Sequence, residues 1–174
     1  MLDVAVSYNR YKFLGHEFLT WLWYAVENQP DALGASSDDF RLLEIGNRIV
    51  LENYRQNVVE RMTLKGDQIG LEEAMQALKK GAVVTELHLI YKTSHAEWQF
   101  SIKGESLNVS SFKTPQTGPV EHDEDKEGLI LEKIYLYEKA LKYISDLYKQ
   151  FISLRVTDKW AKSVAPAMKK WITS

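Results

Sequence analysis

The fold is decided by residues 69–113, which read IGLEEAMQALKKGAVVTELHLIYKTSHAEWQFSIKGESLNVSSFK. Apolar residues recur at helical spacing over 70–80, and Gly81 follows where a helix commonly ends on a left-handed residue. The remainder alternates apolar and polar residues, with turn residues between the runs, which predicts three antiparallel strands. These strands span 82–93, 96–103 and 107–113. A meander of this kind has one apolar face, and that face needs a cover.

The segment upstream supplies one cover. Residues 13–28 are rich in aromatic and aliphatic side chains at helical spacing, including Phe18, Trp21 and Trp23. We interpret this helix as packing on the sheet. The alternative is an aromatic surface for a partner or for stacking of nucleic-acid bases. Before the helix, alternation over 4–8 predicts a short strand or extended arm.

More strands are predicted between this helix and residue 69. Residues 40–45 and 48–53 resemble a hairpin, with Gly46-Asn47 at a tight turn that requires positive φ. A further strand spans 57–65 and ends at Gly66. The whole chain therefore predicts an α+β fold, in which an antiparallel sheet of five to six strands is covered by the aromatic helix and by a long C-terminal helix.

The C-terminal part divides into a linker and a helical region. Residues 1–113 form the helix-plus-sheet domain, 114–127 an acidic linker, and 128–174 helices that pack on the same domain. We expect the linker to be a solvated loop. Two alternatives for its acidic residues are that they mimic a nucleic-acid backbone or that they form a metal-binding loop. Thr157-Asp158 restarts a helix, and Pro166 should kink it or bound its end.

The long helix carries two apolar stripes. One stripe starts at Ile130 and keeps heptad spacing, and the other lies beside it around Ala140, Tyr143 and Leu147. One of the two stripes can cover the sheet, and the other can pack against residues 13–28 or against a second copy of the chain. The seam that we expect for packing or dimerisation consists of Ile134, Tyr137, Leu141, Ile144, Tyr148 and Phe151.

Composition limits the classes of function. The chain has 174 residues, 45% of them hydrophobic, which suits one domain with a real core. The formal net charge of −2 argues against a strongly basic nucleic-acid binder but leaves room for a local basic face. The sequence has no cysteine, which excludes disulfides and thiol chemistry and fits a cytoplasmic protein. No apolar run has the length of a membrane span.

The sequence shows no catalytic or cofactor motif above background. His16-Glu17 begins like a zinc-protease helix, but Thr20 stands where the second histidine would be. The four histidines share no ligand spacing, and neither a serine nucleophile motif nor a phosphate-binding glycine loop is present. We therefore expect no catalysis, no cofactor and no metal.

Basic residues on the predicted strands are the better candidates for function. Several fall at or near strand ends, on the side opposite the apolar face, where they could contact phosphates without reading bases. The alternative is scattered charge that keeps the sheet soluble. These basic residues are Arg61, Lys65, Lys92, Lys103 and Lys113, which Arg48 could join. The predicted nucleic-acid contacts are the first four, Arg61, Lys65, Lys92 and Lys103.

Residues 61–113 resemble the C-terminal half of the RdgC family of bacterial recombination-associated proteins. The likeness runs through Arg61-Met62-Thr63-Leu64-Lys65, Leu71-Glu72-Glu73 and, most specifically, Lys80-Gly81-Ala82-Val83-Val84-Thr85-Glu86-Leu87. Residues 18–23 and 136–147 are similar to the helices that flank this half. The chain would then be a short relative or a fragment, because members of usual length carry an additional N-terminal half.

The resemblance implies sequence-independent binding of double-stranded DNA. It also implies a homodimer, association with the nucleoid, and a functional link to RecA in recombination. The alternative from the residues alone is a protein-interaction or dimerisation module that uses the heptad seam and has no affinity for DNA.

Overall fold

A computed structural model describes residues 4–34, 41–55, 58–66, 71–117 and 125–174. The helices are α1 (Val4–Asn28), α2 (Pro30–Gly34), α3 (Leu71–Lys79), α4 (Asp125–Arg155) and α5 (Ala165–Thr173). The strands are β1 (Arg41–Arg55), β2 (Val58–Lys65), β3 (Val83–Thr93), β4 (Glu97–Lys103) and β5 (Val109–Lys113). The predicted α+β class, with helices over an antiparallel sheet, is confirmed.

The five strands form one antiparallel sheet in the order β2-β1-β3-β4-β5. One side, which we call the helix face, carries the buried residues Ile49, Leu87, Leu89, Trp98 and Phe100 beneath α1 and α4. The other side, the polar face, carries the alternate residues of the same strands. The polar face includes Arg48, Arg61, Lys65, Glu86, His88, Lys92, Ser101, Lys103 and Lys113.

The predicted hairpin at Gly46-Asn47 is wrong, because β1 runs through it as one strand. Ile45 pairs with Leu89 and Ile49 with Leu87, so three residues bulge opposite His88. A Cβ on Gly46 would lie 1.9 Å from His88 Nδ1, and the Asn47 N–H donates to that same nitrogen at 3.2 Å. Gly46 and Asn47 therefore form part of a bulge that bends β1 around the His88 imidazole, rather than a tight turn.

The predicted alternation of β3 is wrong at Val84, because a second bulge interrupts the pairing of β3 with β1. The sequence pattern places Val84 on the same side as Glu86, but Val84 is buried in the core beside Leu51. The register shifts there, because Val50 pairs with Glu86 while Leu51 pairs with Val84. Thr85 is the extra residue, and its hydroxyl donates to the Val50 carbonyl at 3.3 Å.

The aromatic helix covers the sheet as predicted, but it is longer. The segment predicted as a short strand over 4–8 is instead the first part of α1. The side chains of Phe18, Trp21 and Trp23 are buried in the core, so they do not offer an exposed aromatic surface. The interpretation of α1 as a cover is confirmed.

The heptad seam on α4 divides into two halves. Ile144 and Phe151 are buried, and Phe151 contacts Phe18 of α1 with ring centroids 5.5 Å apart. Further toward the N-terminus, Ile134 and Leu141 are 48% and 45% exposed. The stripe around Ala140, Tyr143 and Leu147 covers the sheet, where Tyr143 stacks on Tyr91. The seam thus packs internally mainly over its second half; in the first half Tyr137 stacks on Phe112 with ring centroids 4.4 Å apart.

The chain turns back after α4 through a π-helical segment, Trp160–Val164, which leads into α5. Pro166 lies in the first turn of α5, where its missing N–H costs nothing, so it bounds the start of this helix. Glu27 holds α5 in place by accepting from Trp23 Nε1 at 2.6 Å and Trp171 Nε1 at 2.9 Å. Within the described ranges, no helix is long and apolar enough to cross a membrane.

The predicted linker is shorter than expected at its far end. Asp125–Glu127 belong to the first turn of α4 rather than to a loop. Residues 118–124, which carry Glu121, Asp123 and Glu124, lie outside the described residues, so the interpretations of the acidic run stay untested.

Gly15 provides a test of how closely α1 approaches the sheet. A Cβ at Gly15 would lie 1.7 Å from the Gly104 carbonyl oxygen in the β4–β5 connection. We expect Gly15→Ala to lower the free energy of unfolding by about 1–3 kcal/mol, the usual cost of overpacking a core. Urea unfolding followed by tryptophan fluorescence measures this change.

The matched control is Gly128→Ala in α4, where a Cβ would meet nothing within 4 Å. Alanine should stabilise there by about 0.5–1 kcal/mol, because it loses less backbone entropy than glycine in a helix. Equal effects of the two substitutions would contradict the close approach of α1 to Gly104.

Candidate nucleic-acid interface

All four predicted contact residues lie on the polar face. Their neighbours along the strands, such as Leu64, Tyr91 and Ile102, pack into the core, which turns the cations to the other side. Arg48 and Lys65 face each other across the β1–β2 pair. Lys103 stands opposite Glu86 across the β3–β4 pair.

A bulge in β5 brings Lys113 onto the same face. Gln99 pairs with Lys113 and Ser101 with Ser110, so β5 has one extra residue over this interval. Ser111 has a φ of +52°, a left-handed conformation that is uncommon without glycine. As a result Phe112 stacks on Phe100 at the helix face, while Lys113 Nζ donates to Gln99 Oε1 at 3.4 Å.

Two of the predicted contact residues are engaged by carboxylates. Lys92 Nζ donates to Glu44 Oε2 at 2.6 Å and lies 4.0 Å from Glu97 Oε2. The hydrogen bond to Glu44 raises the pKa of Lys92 above its ordinary value. Arg61 Nε lies 3.7 Å from Glu52 Oε1. The charge of these two residues is therefore largely balanced within the sheet.

Lys65 and Lys103 differ from that pair. Both are exposed, and in the part of the chain that the structure describes no carboxylate oxygen comes within 4.0 Å of either ammonium. Lys113 has only the Gln99 amide as a described partner. Their charges face outward, free to meet an anion.

The centre of the polar face is buried although its residues are polar. Glu86, His88 and Ser101 are 6%, 8% and 2% exposed. Arg48 Nε is also buried and lies 3.5 Å from Glu86 Oε1, which holds the guanidinium over the sheet. A single buried carboxylate thus anchors one cation, and the other cations stand around it.

His88 shows how close these cations are to one another. Burial is the main cause that lowers the pKa of His88 below its ordinary value, and the positive charges of Lys113 and Arg48 lower it further. Glu86 acts in the opposite direction. Lys113 in β5 and Arg48 in β1 therefore act on the same imidazole in β3. We call Arg48, Lys65, Lys103 and Lys113 the basic cluster.

Sequence reasoning named the cluster only in part. It selected Lys65 and Lys103 as contacts, placed Lys113 with them at strand ends, named Arg48 as a possible addition, and gave no role to Glu86 or His88. The alternation of β3 could have drawn attention to these two, since it puts polar residues on a central strand of the sheet. Neutral His88 is recognisable only from the β1 bulge, which the sequence does not reveal.

The described residues include no group of three or more His, Asp or Glu side chains arranged to hold a metal ion. Comparisons of the chain with protein-family models, with curated proteins and with solved structures give no match. The likeness to the RdgC family therefore remains a prediction from the residues quoted above.

The lowered pKa of His88 predicts a pH-dependent stability. The folded protein keeps the imidazole neutral, whereas the unfolded chain binds a proton with a pKa of about 6.5. The folded state is thus favoured above that value and loses stability as the pH falls through about 6.5 toward the lower folded pKa. Urea unfolding between about pH 7.5 and about pH 5.5 should show this decline.

His88→Gln should flatten the decline, because glutamine can accept the Asn47 N–H but does not titrate. His95→Gln, in the exposed β3–β4 turn, is the control and should keep the wild-type dependence. A wild-type pH profile in His88→Gln would show that His88 is not the group responsible.

Proposed function

We propose that the polar face binds the phosphate backbone of double-stranded DNA without reading its sequence. The observation that carries the proposal is the basic cluster, in which four strands bring four cations to one face around a single buried carboxylate. Lysine and arginine on phosphates release counterions, and this gives affinity without base preference.

The overall charge of −2 is compatible with this proposal, because binding depends on the local field. The polar face as a whole has six lysines and arginines against Glu44, Glu52, Glu86 and Glu97. The ion pairs of Arg61 and Lys92 account for three of these carboxylates, and Arg48 is paired with the buried Glu86. Lys65, Lys103 and Lys113 remain without an ion pair among the described residues, and the net charge of these side chains is +2 because Lys92 is shared by two carboxylates.

The resemblance to the RdgC family supports the same substrate. Through that resemblance the proposal extends to a nucleoid-associated protein that modulates recombination, with a functional link to RecA. In this proposal the polar face makes only electrostatic contacts with DNA phosphates and carries out no catalytic step.

The proposal is tested with the double variant Lys65→Glu/Lys103→Glu and duplexes of unrelated sequence. Wild type should bind all duplexes alike, and the variant should bind at least about tenfold more weakly at low salt. Loss of two phosphate contacts should reduce the slope of log affinity against log salt by about 1.8. Fluorescence anisotropy of labelled duplexes measures both quantities.

The control is Lys133→Glu/Lys159→Glu, which makes the same change of charge on exposed helical positions away from the polar face. It should lose much less affinity. Equal losses in the two double variants would indicate a general charge effect and would remove the polar face as the binding surface.

A second candidate function, self-association, is favoured by the N-terminal half of α4. Six large hydrophobic residues on this half are between 41% and 67% exposed, which is unusual for a monomer surface. They are Ile130, Leu131, Ile134, Tyr135, Tyr137 and Leu141. We propose that the heptad stripe of this half, Ile130, Ile134, Tyr137 and Leu141, pairs with the same stripe of a second copy. Tyr135 lies on another side of α4 and stays outside this interface. The pairing should be antiparallel, because α1 occupies the same stripe of α4 from Ile144 onward.

Ile134→Asp should abolish the dimer, since it puts a charge into the middle of the seam. Val156→Asp is the control, because Val156 is the most exposed large hydrophobic residue described and lies beyond α4. Sedimentation equilibrium distinguishes the species. A monomeric wild type, or a dimer that persists in Ile134→Asp, would contradict this proposal.

A further inference from the structure

A cleft of about 700 Å³ lies on the other side of the molecule from the polar face, between α4, α2 and the ends of β1 and β3. Its volume falls within the roughly 300–1,000 Å³ of small-molecule sites. Besides its apolar floor, the cleft is lined by an uncommon combination of three cations, two carboxylates and one exposed aromatic ring. These are Arg41, Lys139, Lys142, Glu138, Asp146 and Tyr135.

The floor of the cleft is held in place by hydrogen bonds and stacked rings. Tyr143 OH donates to the Leu33 carbonyl at 3.1 Å, and its ring stacks on Tyr91 with centroids 4.1 Å apart. Gln150 Nε2 donates to the Ala32 carbonyl at 3.2 Å. These bonds join α2 to α4, so the walls are formed before any ligand arrives, which reduces the entropic cost of binding.

The cations of the cleft form no ion pair with the residues that the structure describes. Among the described residues, no carboxylate oxygen lies within 4.0 Å of the charged nitrogens of Arg41, Lys139 or Lys142. Lys139 Nζ lies 5.6 Å from the centroid of the Trp98 ring, a contact that leaves its charge intact. The three charges come from two elements, β1 and α4, and border one cavity. These three cations therefore favour binding of an anion in the cleft.

The remaining groups narrow the identity of that anion. Tyr135 is 61% exposed at the rim and can stack on a planar ring. Glu138 can accept hydrogen bonds from hydroxyl or amino groups, and so can Asp146, although its Oδ1 already accepts from Lys149 Nζ at 3.4 Å. Tyr135, Lys139, Lys142 and Asp146 follow one another at intervals of three or four residues, so they lie along one side of α4.

We propose that this cleft binds a nucleoside monophosphate unit. Its phosphate would contact Arg41, Lys139 and Lys142. Its sugar hydroxyls would donate to the carboxylates, and its base would stack on Tyr135. A bare inorganic anion would use only the cations, and an apolar ligand would use none of them. The same unit is available as a free nucleotide or at the end of a single strand.

Isothermal titration with AMP, adenosine, inorganic phosphate and a short single-stranded oligonucleotide tests the proposal. AMP should bind saturably and at least about tenfold more tightly than adenosine or phosphate alone. AMP binding identifies a free nucleotide as the ligand. Binding of the oligonucleotide but not of AMP identifies a strand end only if Lys142→Glu weakens it and Lys65→Glu/Lys103→Glu does not, because the polar face could also bind phosphates; oligonucleotide binding that depends on Lys65 and Lys103 alone overturns the proposal. Failure of both to bind overturns the proposal.

Lys142→Glu should weaken that binding at least about tenfold, because it replaces one phosphate contact with a repulsive charge. Lys133→Glu, on the same helix but outside the cleft, is the control and should bind like wild type. Equal affinity in these two variants would also overturn the proposal. The duplex-binding variant Lys65→Glu/Lys103→Glu should retain AMP binding, so this inference and the DNA proposal fail independently.

Discussion

The contact between the His88 imidazole and the backbone of β1 is the constraint on which the polar face depends. Gly46 leaves room for the ring, and the Asn47 N–H fixes the position of Nδ1. The resulting bulge lets a single strand pair with β2 over one part and with β3 along its length. Because β1 bends there, Arg48 lies over Glu86 and places its charge beside His88.

The two faces of the sheet have different roles: the helix face stabilises the fold, and the polar face presents charge. On the helix face, α1 and α4 bury aromatic and aliphatic side chains, and this burial is the main source of stability. The polar face has a buried polar centre and a charged border. Carboxylates balance Arg61 and Lys92, which therefore fit the interpretation of solubilising charge. Lys65, Lys103 and Lys113 do not fit it, because no described carboxylate balances them.

Period-two and helical patterns were sufficient to predict the layers of the fold and the strands β2 to β5, since burial of one face imposes those periods. They could not predict bulges, which depend on contacts between distant residues. Gly46-Asn47 satisfies the local rule for a tight turn, but the His88 ring, far along the chain, sets its conformation. Similarly, the heptad spacing of α4 is uniform, and only the position of α1 determines which half is covered. The cations on the polar face followed from alternation, whereas their ion pairs required coordinates.

Lysine footprinting of the protein with and without a duplex tests the central claim most directly. Acetylation of each lysine, quantified by mass spectrometry, reports which side chains DNA shields. The account predicts that Lys65, Lys103 and Lys113 become protected together, while Lys133 and Lys159 on the helices stay reactive. Protection of the helical lysines, with the polar-face lysines remaining reactive, would contradict it.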